Sequence, residues 1–125
     1  MEPIQTDQAP AAIGPYSQAL RCGDMVFLSG QIALAPDSGE LVSGGINAEI
    51  SQVFDNLLAV VAAAGARPDQ IARITVYLTD LAHFGRVNEA MAERLQAPYP
   101  ARAAVGVAAL PRGASVEVDA VLWLG

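Results

Sequence analysis

Residues 99–124, YPARAAVGVAALPRGASVEVDAVLWL, read as two β-strands joined by a tight turn at Pro111-Arg112-Gly113. Side chains alternate between the two faces of a strand, so one face of the second strand is wholly apolar: Val116, Val118, Ala120 and Leu122. The other face begins with two carboxylates, Glu117 and Asp119, and Arg102 opens the first strand. We therefore predict that this hairpin carries the anion-binding and proton-handling groups of a small active site.

The composition limits the chemistry that is open to the chain. Its 125 residues predict a single domain over 1–125, and the formal charge is −6 with no lysine. The absence of lysine excludes Schiff-base attachment of pyridoxal phosphate, and the acidic balance argues against nucleic-acid binding. Cys22 and His83 are the only cysteine and histidine, too few for a His/Cys zinc site. We expect neither a metal nor a cofactor.

The apolar residues bear on the location of the protein and on its oligomeric state. They make up 53% of the chain, which is high for a soluble monomer, yet no apolar run has membrane-spanning length. The first ten residues, MEPIQTDQAP, lack the basic and apolar regions of a secretory signal. We expect a cytoplasmic protein without membrane association, which buries its excess apolar surface by oligomerisation.

The order of the predicted elements is β-β-α-β-α-β-β. The predicted segments are, in order, an extended leader over 1–15, strands over 16–20 and 25–28, helix 47–64, strand 71–78, helix 81–97 and the terminal hairpin. The second strand runs into Ser29-Gly30, where the backbone can come close to another group because glycine has no side chain. The fold class is α/β (α+β), a mixed sheet with two helices on one face.

Two helices can cover only one face of such a sheet. The face that carries Glu117, Asp119, Val121 and Trp123 would then meet water in a monomer, although it is partly apolar. A symmetric oligomer that packs sheet against sheet would bury this face and bring the carboxylates near a subunit boundary.

Four segments are similar to the Rid family, also called the YjgF-like or L-PSP family. They are APAAIGPYSQAL (9–20), LSGQI (28–32), FDNLLAVVAAAG (54–65) and YPARAAVGVAALPRGASVEVDAV (99–121). The resemblance implies a chorismate-mutase-like fold assembled as a homotrimer, with active sites between subunits. It also implies a hydrolase acting on C=N bonds, which deaminates reactive 2-imino and enamine acids such as 2-aminoacrylate and 2-iminobutanoate to 2-keto acids and ammonia.

Carried over by position, the resemblance implies that Arg102 binds the substrate carboxylate and that Glu117 orients the hydrolytic water. The other implied substrate contacts are Tyr16, Ser29, Gly30, Asn88 and Ala104. Many members have Ser-Cys after the arginine, where this chain has Ala103-Ala104, and we expect the change to alter substrate preference. The chemistry suits these residue types, because a guanidinium binds a carboxylate bidentately and a carboxylate can relay a proton from water to the departing amine.

Other interpretations of these residues remain open. Arg102 and Glu117 could form a cross-strand ion pair, and Asp119 is a second candidate base. Tyr16 could be a half-buried turn aromatic, and Asn88 could bond to backbone. For the whole protein, the alternative to an enzyme is a non-catalytic or regulatory trimer that binds 2-keto acids or similar small carboxylates in the same cleft.

Overall fold

A mixed sheet of six strands carries two helices on one of its faces. The computed structural model describes residues 1–125, and its strands are β1 Glu2–Ile4, β2 Ala19–Cys22, β3 Met25–Gln31, β4 Ile71–Leu78, β5 Ala101–Gly106 and β6 Val116–Trp123. The helices are α1 Ile46–Ala63 and α2 Phe84–Arg94. The strand order is β1-β2-β3-β6-β4-β5, and β4 and β5 form the only parallel pair. The predicted fold class is confirmed.

The core lies between the helices and the covered face of the sheet. Helix α1 buries a stripe at helical spacing, which includes Ile50, Val53, Phe54, Leu57 and Val61. Strand β6 meets it with Val116, Val118, Ala120 and Leu122, none more than 3% exposed. The period-2 pattern of β6 therefore orients that strand as the sequence predicts.

The opposite face of the sheet, here the open face, has no helix over it. On β6 it carries Glu117, Asp119, Val121 and Trp123, and the register adds Tyr77 beside Glu117 and Phe27 beside Val121. Phe27 is 47% exposed and Trp123 is 54% exposed. Large aromatic side chains on an uncovered sheet are typical of a surface that packs against another molecule.

The predicted terminal hairpin is wrong. Strand β5 pairs in parallel with β4, whereas β6 pairs antiparallel with both β3 and β4, so β4 separates the two strands. The reason is that β4, α2 and β5 form a crossover unit, which sets its two strands side by side in parallel. Pro111–Gly113 is a short 3₁₀ turn within the connection 107–115, not a hairpin loop.

Several predicted boundaries also change. The leader contains β1, which pairs with β2, so the element order gains a first strand and becomes β-β-β-α-β-α-β-β. Strand β2 starts at Ala19 rather than at residue 16, and β3 continues through Ser29-Gly30 to Gln31.

The second helix is shorter than predicted at both ends. It runs from Phe84 to Arg94 and not over 81–97. Residues 81–83 form a separate 3₁₀ turn, and Leu95 has an extended backbone that ends the helix. The Asp80 carboxylate accepts the backbone N–H of Ala82 at 2.9 Å and so caps this turn.

Candidate active site

Strand β3 has a bulge that makes room for the Glu117 side chain. Leu28 pairs with Ala120 and Gln31 with Val118, so two residues of β3 oppose the single residue Asp119 of β6. A Cβ on Gly30 would lie 2.8 Å from Cδ of Glu117 and would overlap its carboxylate. The glycine is therefore required for the close approach of this side chain, as the Ser29-Gly30 pattern predicts.

The surroundings of Glu117 resist its ionisation. Desolvation by burial raises the pKa of the Glu117 carboxyl, and the negative charge of Asp119 raises it further. Asp119 accepts a hydrogen bond of 3.0 Å from the Tyr77 hydroxyl, whose own pKa is raised by burial and then by this bond. Glu117 has no ion pair and no hydrogen bond to another side chain, whereas Asp119 is engaged with Tyr77. Of the two carboxylates, Glu117 is thus the one free to handle a proton.

Glu117 borders a cavity of about 390 Å³, here the Glu117 cavity. Its lining includes Tyr16, Gln18, Ser29, Gly30 and Arg112, together with apolar residues from the segments 10–13 and 32–34. Ser29 is fixed by its hydroxyl, which donates to the Ser17 carbonyl oxygen at 2.6 Å. The volume lies in the range of small-molecule sites, and the lining mixes apolar walls with a few polar groups.

Arg102 lies on the edge strand β5 and projects over α2. Its Cζ lies 4.7 Å from the centre of the Phe84 ring, and its Nη1 lies 3.6 Å from the Met91 sulfur. The same Nη1 donates a hydrogen bond to Oδ1 of Asn88. No carboxylate of the chain pairs with Arg102. The guanidinium is held by an aromatic face and an amide, and its charge is left free for an anion.

Arg102 borders a second, separate cavity of about 430 Å³, here the Arg102 cavity. Its lining is Asn88, Met91, Ala92, Tyr99, Pro100 and Arg102. The two cavities share no residue.

Arg102 and Glu117 lie on opposite faces of the sheet. Arg102 pairs with the fully buried Ile74 and so shares the covered face, while Glu117 pairs with Tyr77 on the open face. The alternative of a cross-strand ion pair is wrong, because β4 lies between their strands and the side chains point apart. Within one chain the two groups cannot act on one small substrate.

The predicted site residues thus fall into two groups. Tyr16, Ser29, Gly30 and Glu117 line the Glu117 cavity, whereas Asn88 and Arg102 line the Arg102 cavity. Asn88 is an exposed residue bonded to Arg102, not a residue bonded to backbone. Ala104 packs against the hydrophobic core on the covered face and lines neither cavity.

The comparisons with known proteins agree with this architecture. The chain matches the family described as Endoribonuclease L-PSP over residues 6–123. It belongs to the L-PSP, or Rid, family. The 2-iminobutanoate/2-iminopropanoate deaminase of Mus musculus is 48% identical over 122 residues, covering 98% of this chain and 90% of the relative.

Two solved structures show the same fold. RidA from the Antarctic bacterium Psychrobacter superposes with a TM-score of 0.94 at 46% identity, covering 98% of this chain and 99% of the other. TdcF of E. coli with bound serine superposes with a TM-score of 0.93 at 38% identity and full coverage of both chains.

Two residues at the Glu117 cavity have roles that the sequence did not predict. Gln18 is 3% exposed, and its amide holds the leader by accepting from the Thr6 N–H at 2.7 Å and donating to the Pro10 carbonyl oxygen at 2.8 Å. The leader residues so held form one wall of the Glu117 cavity. The available signal was a glutamine directly before the apolar pair Ala19-Leu20. The other residue is Arg112, which the sequence indicated only as part of a turn.

No group of three or more His, Cys, Asp or Glu side chains is placed so that it could hold a metal ion. Neither helix is both long enough and apolar enough to cross a membrane.

Proposed function

We propose that this L-PSP family protein hydrolyses 2-imino and enamine acids, such as 2-aminoacrylate and 2-iminobutanoate, to 2-keto acids and ammonia. The observation that carries the proposal is the Glu117 carboxyl, held in a small cavity with its pKa raised and with no partner side chain. A carboxylate of raised basicity takes a proton from water more readily than an ordinary one. The mouse relative, named as a deaminase of 2-imino acids, gives the substrate class.

Arg102 binds the substrate carboxylate. Its guanidinium is free of any acidic partner and is oriented by the Phe84 ring and Asn88, so an incoming carboxylate can form two parallel hydrogen bonds. This contact holds the imine carbon in register with the water and lowers the entropic cost of reaction.

Glu117 moves the proton. Water attacks the carbon of the protonated imine and gives one proton to the Glu117 carboxylate, and the product is a neutral tetrahedral carbinolamine. The Glu117 carboxyl returns this proton to the nitrogen, and the C–N bond breaks so that ammonia leaves. The carbinolamine hydroxyl gives its proton to the Glu117 carboxylate or to solvent as the carbonyl forms. General acid–base assistance of this kind supplies about 10²–10⁴-fold. Tyr16, Ser29 and Gly30 shape the cavity around the reacting carbon, and Ala104 supports the strand that carries Arg102.

The complete site lies between subunits of a homotrimer, the assembly that the Rid resemblance implies. The placement of Arg102 and Glu117 on opposite faces supports this, because a head-to-tail ring can bring the Arg102 cavity of one copy to the Glu117 cavity of the next. The exposed aromatic side chains of the open face supply apolar surface for such packing.

The test is a direct assay. 2-Iminobutanoate is generated in situ by a threonine dehydratase, and 2-ketobutanoate release is followed with and without the purified protein. We expect acceleration by the wild type and a rise in KM of at least ten-fold for Arg102→Ala, because a charge-assisted contact is lost. The control is Arg67→Ala, which removes an exposed arginine that lines neither cavity.

The same assay distinguishes the proposed enzyme from the alternative, a non-catalytic or regulatory trimer. Tight binding of 2-ketobutanoate without any acceleration would favour a regulatory trimer, and an Arg102→Ala protein that performs like the wild type would contradict the role of Arg102. The family description names an endoribonuclease, but the net charge of −6 weighs against binding an RNA backbone.

A further inference from the structure

Arg112 is the one cation in the lining of the Glu117 cavity. Its guanidinium donates to the Gly39 carbonyl oxygen at 3.2 Å, and this is its only hydrogen bond within the chain. No carboxylate pairs with it. An arginine offers five N–H donors, so most of this group remains available to a ligand at the cavity.

The backbone at Arg112 is unusual for an arginine. Its φ of 62° and ψ of 19° lie in the left-handed region, the only non-glycine residue of the chain with positive φ. Glycine and asparagine adopt this conformation more readily than arginine does. The turn therefore carries a long cationic side chain at a position where a smaller residue would fit the backbone better.

The lining of the Glu117 cavity carries one formal charge of each sign. The negative charge is that of Glu117, which repels anions. If Glu117 were the only charge in the lining, it would repel a second anionic group on a substrate. The positive charge of Arg112 allows such a group to bind.

We propose that Arg112 is a specificity-determining residue that favours 2-imino acids whose side chain ends in a second carboxylate. The inference rests on the proposed deaminase function. Arg102 then takes the carboxylate beside the reacting carbon, and Arg112 takes the distal one. The Gly39 contact holds the guanidinium in place, so little side-chain freedom is lost when it binds.

The experiment compares two imino acids of matched shape, made in situ from glutamate and from glutamine by amino-acid oxidases. They differ only in the charge of the distal group. For wild type, Arg112→Asn, Arg112→Gly and Arg112→Lys, kcat/KM is measured on both, after subtraction of the uncatalysed rate. Asparagine and glycine suit the left-handed backbone, so these variants keep the turn. Arg67→Asn is the control for the loss of one positive charge far from the cavity.

We expect the wild type to prefer the glutamate-derived substrate. The ratio of the two kcat/KM values should fall about ten-fold in Arg112→Asn and Arg112→Gly, recover in part in Arg112→Lys, and stay constant in Arg67→Asn. An equal loss on both substrates, or an unchanged ratio, would overturn the inference. If 2-iminobutanoate hydrolysis is still accelerated in that case, the deaminase proposal stands and only the role of Arg112 fails. Absence of acceleration on every imino acid would overturn both.

Discussion

The surroundings of the ionised Glu117 carboxyl lower the free energy of unfolding of the chain. Burial and the neighbouring charge of Asp119 both disfavour the ionised carboxyl, and both follow from its place over the β3 bulge. Groups whose environment opposes their charged form are common where a proton has to be moved, because function and stability make opposite demands there.

Replacing Glu117 should stabilise the protein at neutral pH. A raised pKa means that the folded chain binds more protons than the unfolded chain between the ordinary carboxyl pKa and the raised value, so wild-type stability falls as pH rises through that window. Glu117→Gln removes this penalty. We expect its Tm to exceed that of wild type at pH 7, and the gain to shrink as the pH is lowered through the window.

The measurement is thermal unfolding followed by circular dichroism between pH 4 and pH 8. The control is Glu40→Gln, which removes the same charge from an exposed position. A Glu117→Gln protein that is less stable than wild type at pH 7 would refute the electrostatic account.

The sequence was sufficient to predict the faces of β6 but not the surroundings of Arg102. The alternation of Val116, Glu117 and Val118 depends only on the period of a strand, so it could be read directly. The contacts of Arg102 with Phe84 and Met91 depend on how α2 crosses the sheet, which local patterns do not encode.

The β3 bulge is the element on which the site depends. Local patterns indicated that something approaches Gly30, but identifying Glu117 as that group needs the antiparallel register of β3 and β6. Local patterns do not determine strand pairing, which also explains why the predicted hairpin of β5 and β6 is wrong. A turn signal at Pro111–Gly113 fits a hairpin as well as a longer connection, and the choice is made by the crossover that places β5 beside β4.

A methyl group on Gly30 should disable the site. In Gly30→Ala the new Cβ would overlap the Glu117 carboxylate, so either this side chain or the bulge has to move. Because a displacement of about 1 Å can cost about 100-fold in rate, we expect kcat on 2-iminobutanoate to fall by about 10- to 100-fold. The matched control is Gly85→Ala, where a Cβ meets nothing within 4 Å. Full activity in Gly30→Ala would show that the position of Glu117 is not critical.

At the scale of the whole molecule, each chain keeps Arg102 and Glu117 in two separate cavities. Arg102, the proposed anion-binding group, lies on the covered face at one edge of the sheet, and Glu117, the proposed proton-handling group, lies on the open face near its centre. Arg102 and Glu117 are separated because β4 lies between their strands in the order β6-β4-β5 and their side chains are on opposite faces. The open face with Phe27 and Trp123 offers a surface through which copies of the chain could associate.

Mixed oligomers test the shared site most directly. With substrate well below the wild-type KM, Arg102→Ala is expected to keep at most about a tenth of wild-type activity because of its raised KM, and Glu117→Gln lowers kcat by about 10²–10⁴-fold. The two variants are unfolded together, refolded as an equal mixture and assayed on 2-iminobutanoate. If each site takes Arg102 from one copy and Glu117 from the next, about one quarter of the sites in a head-to-tail ring regain both residues, and about one quarter of wild-type activity should return. A mixture no more active than the separate variants would contradict a site shared between subunits.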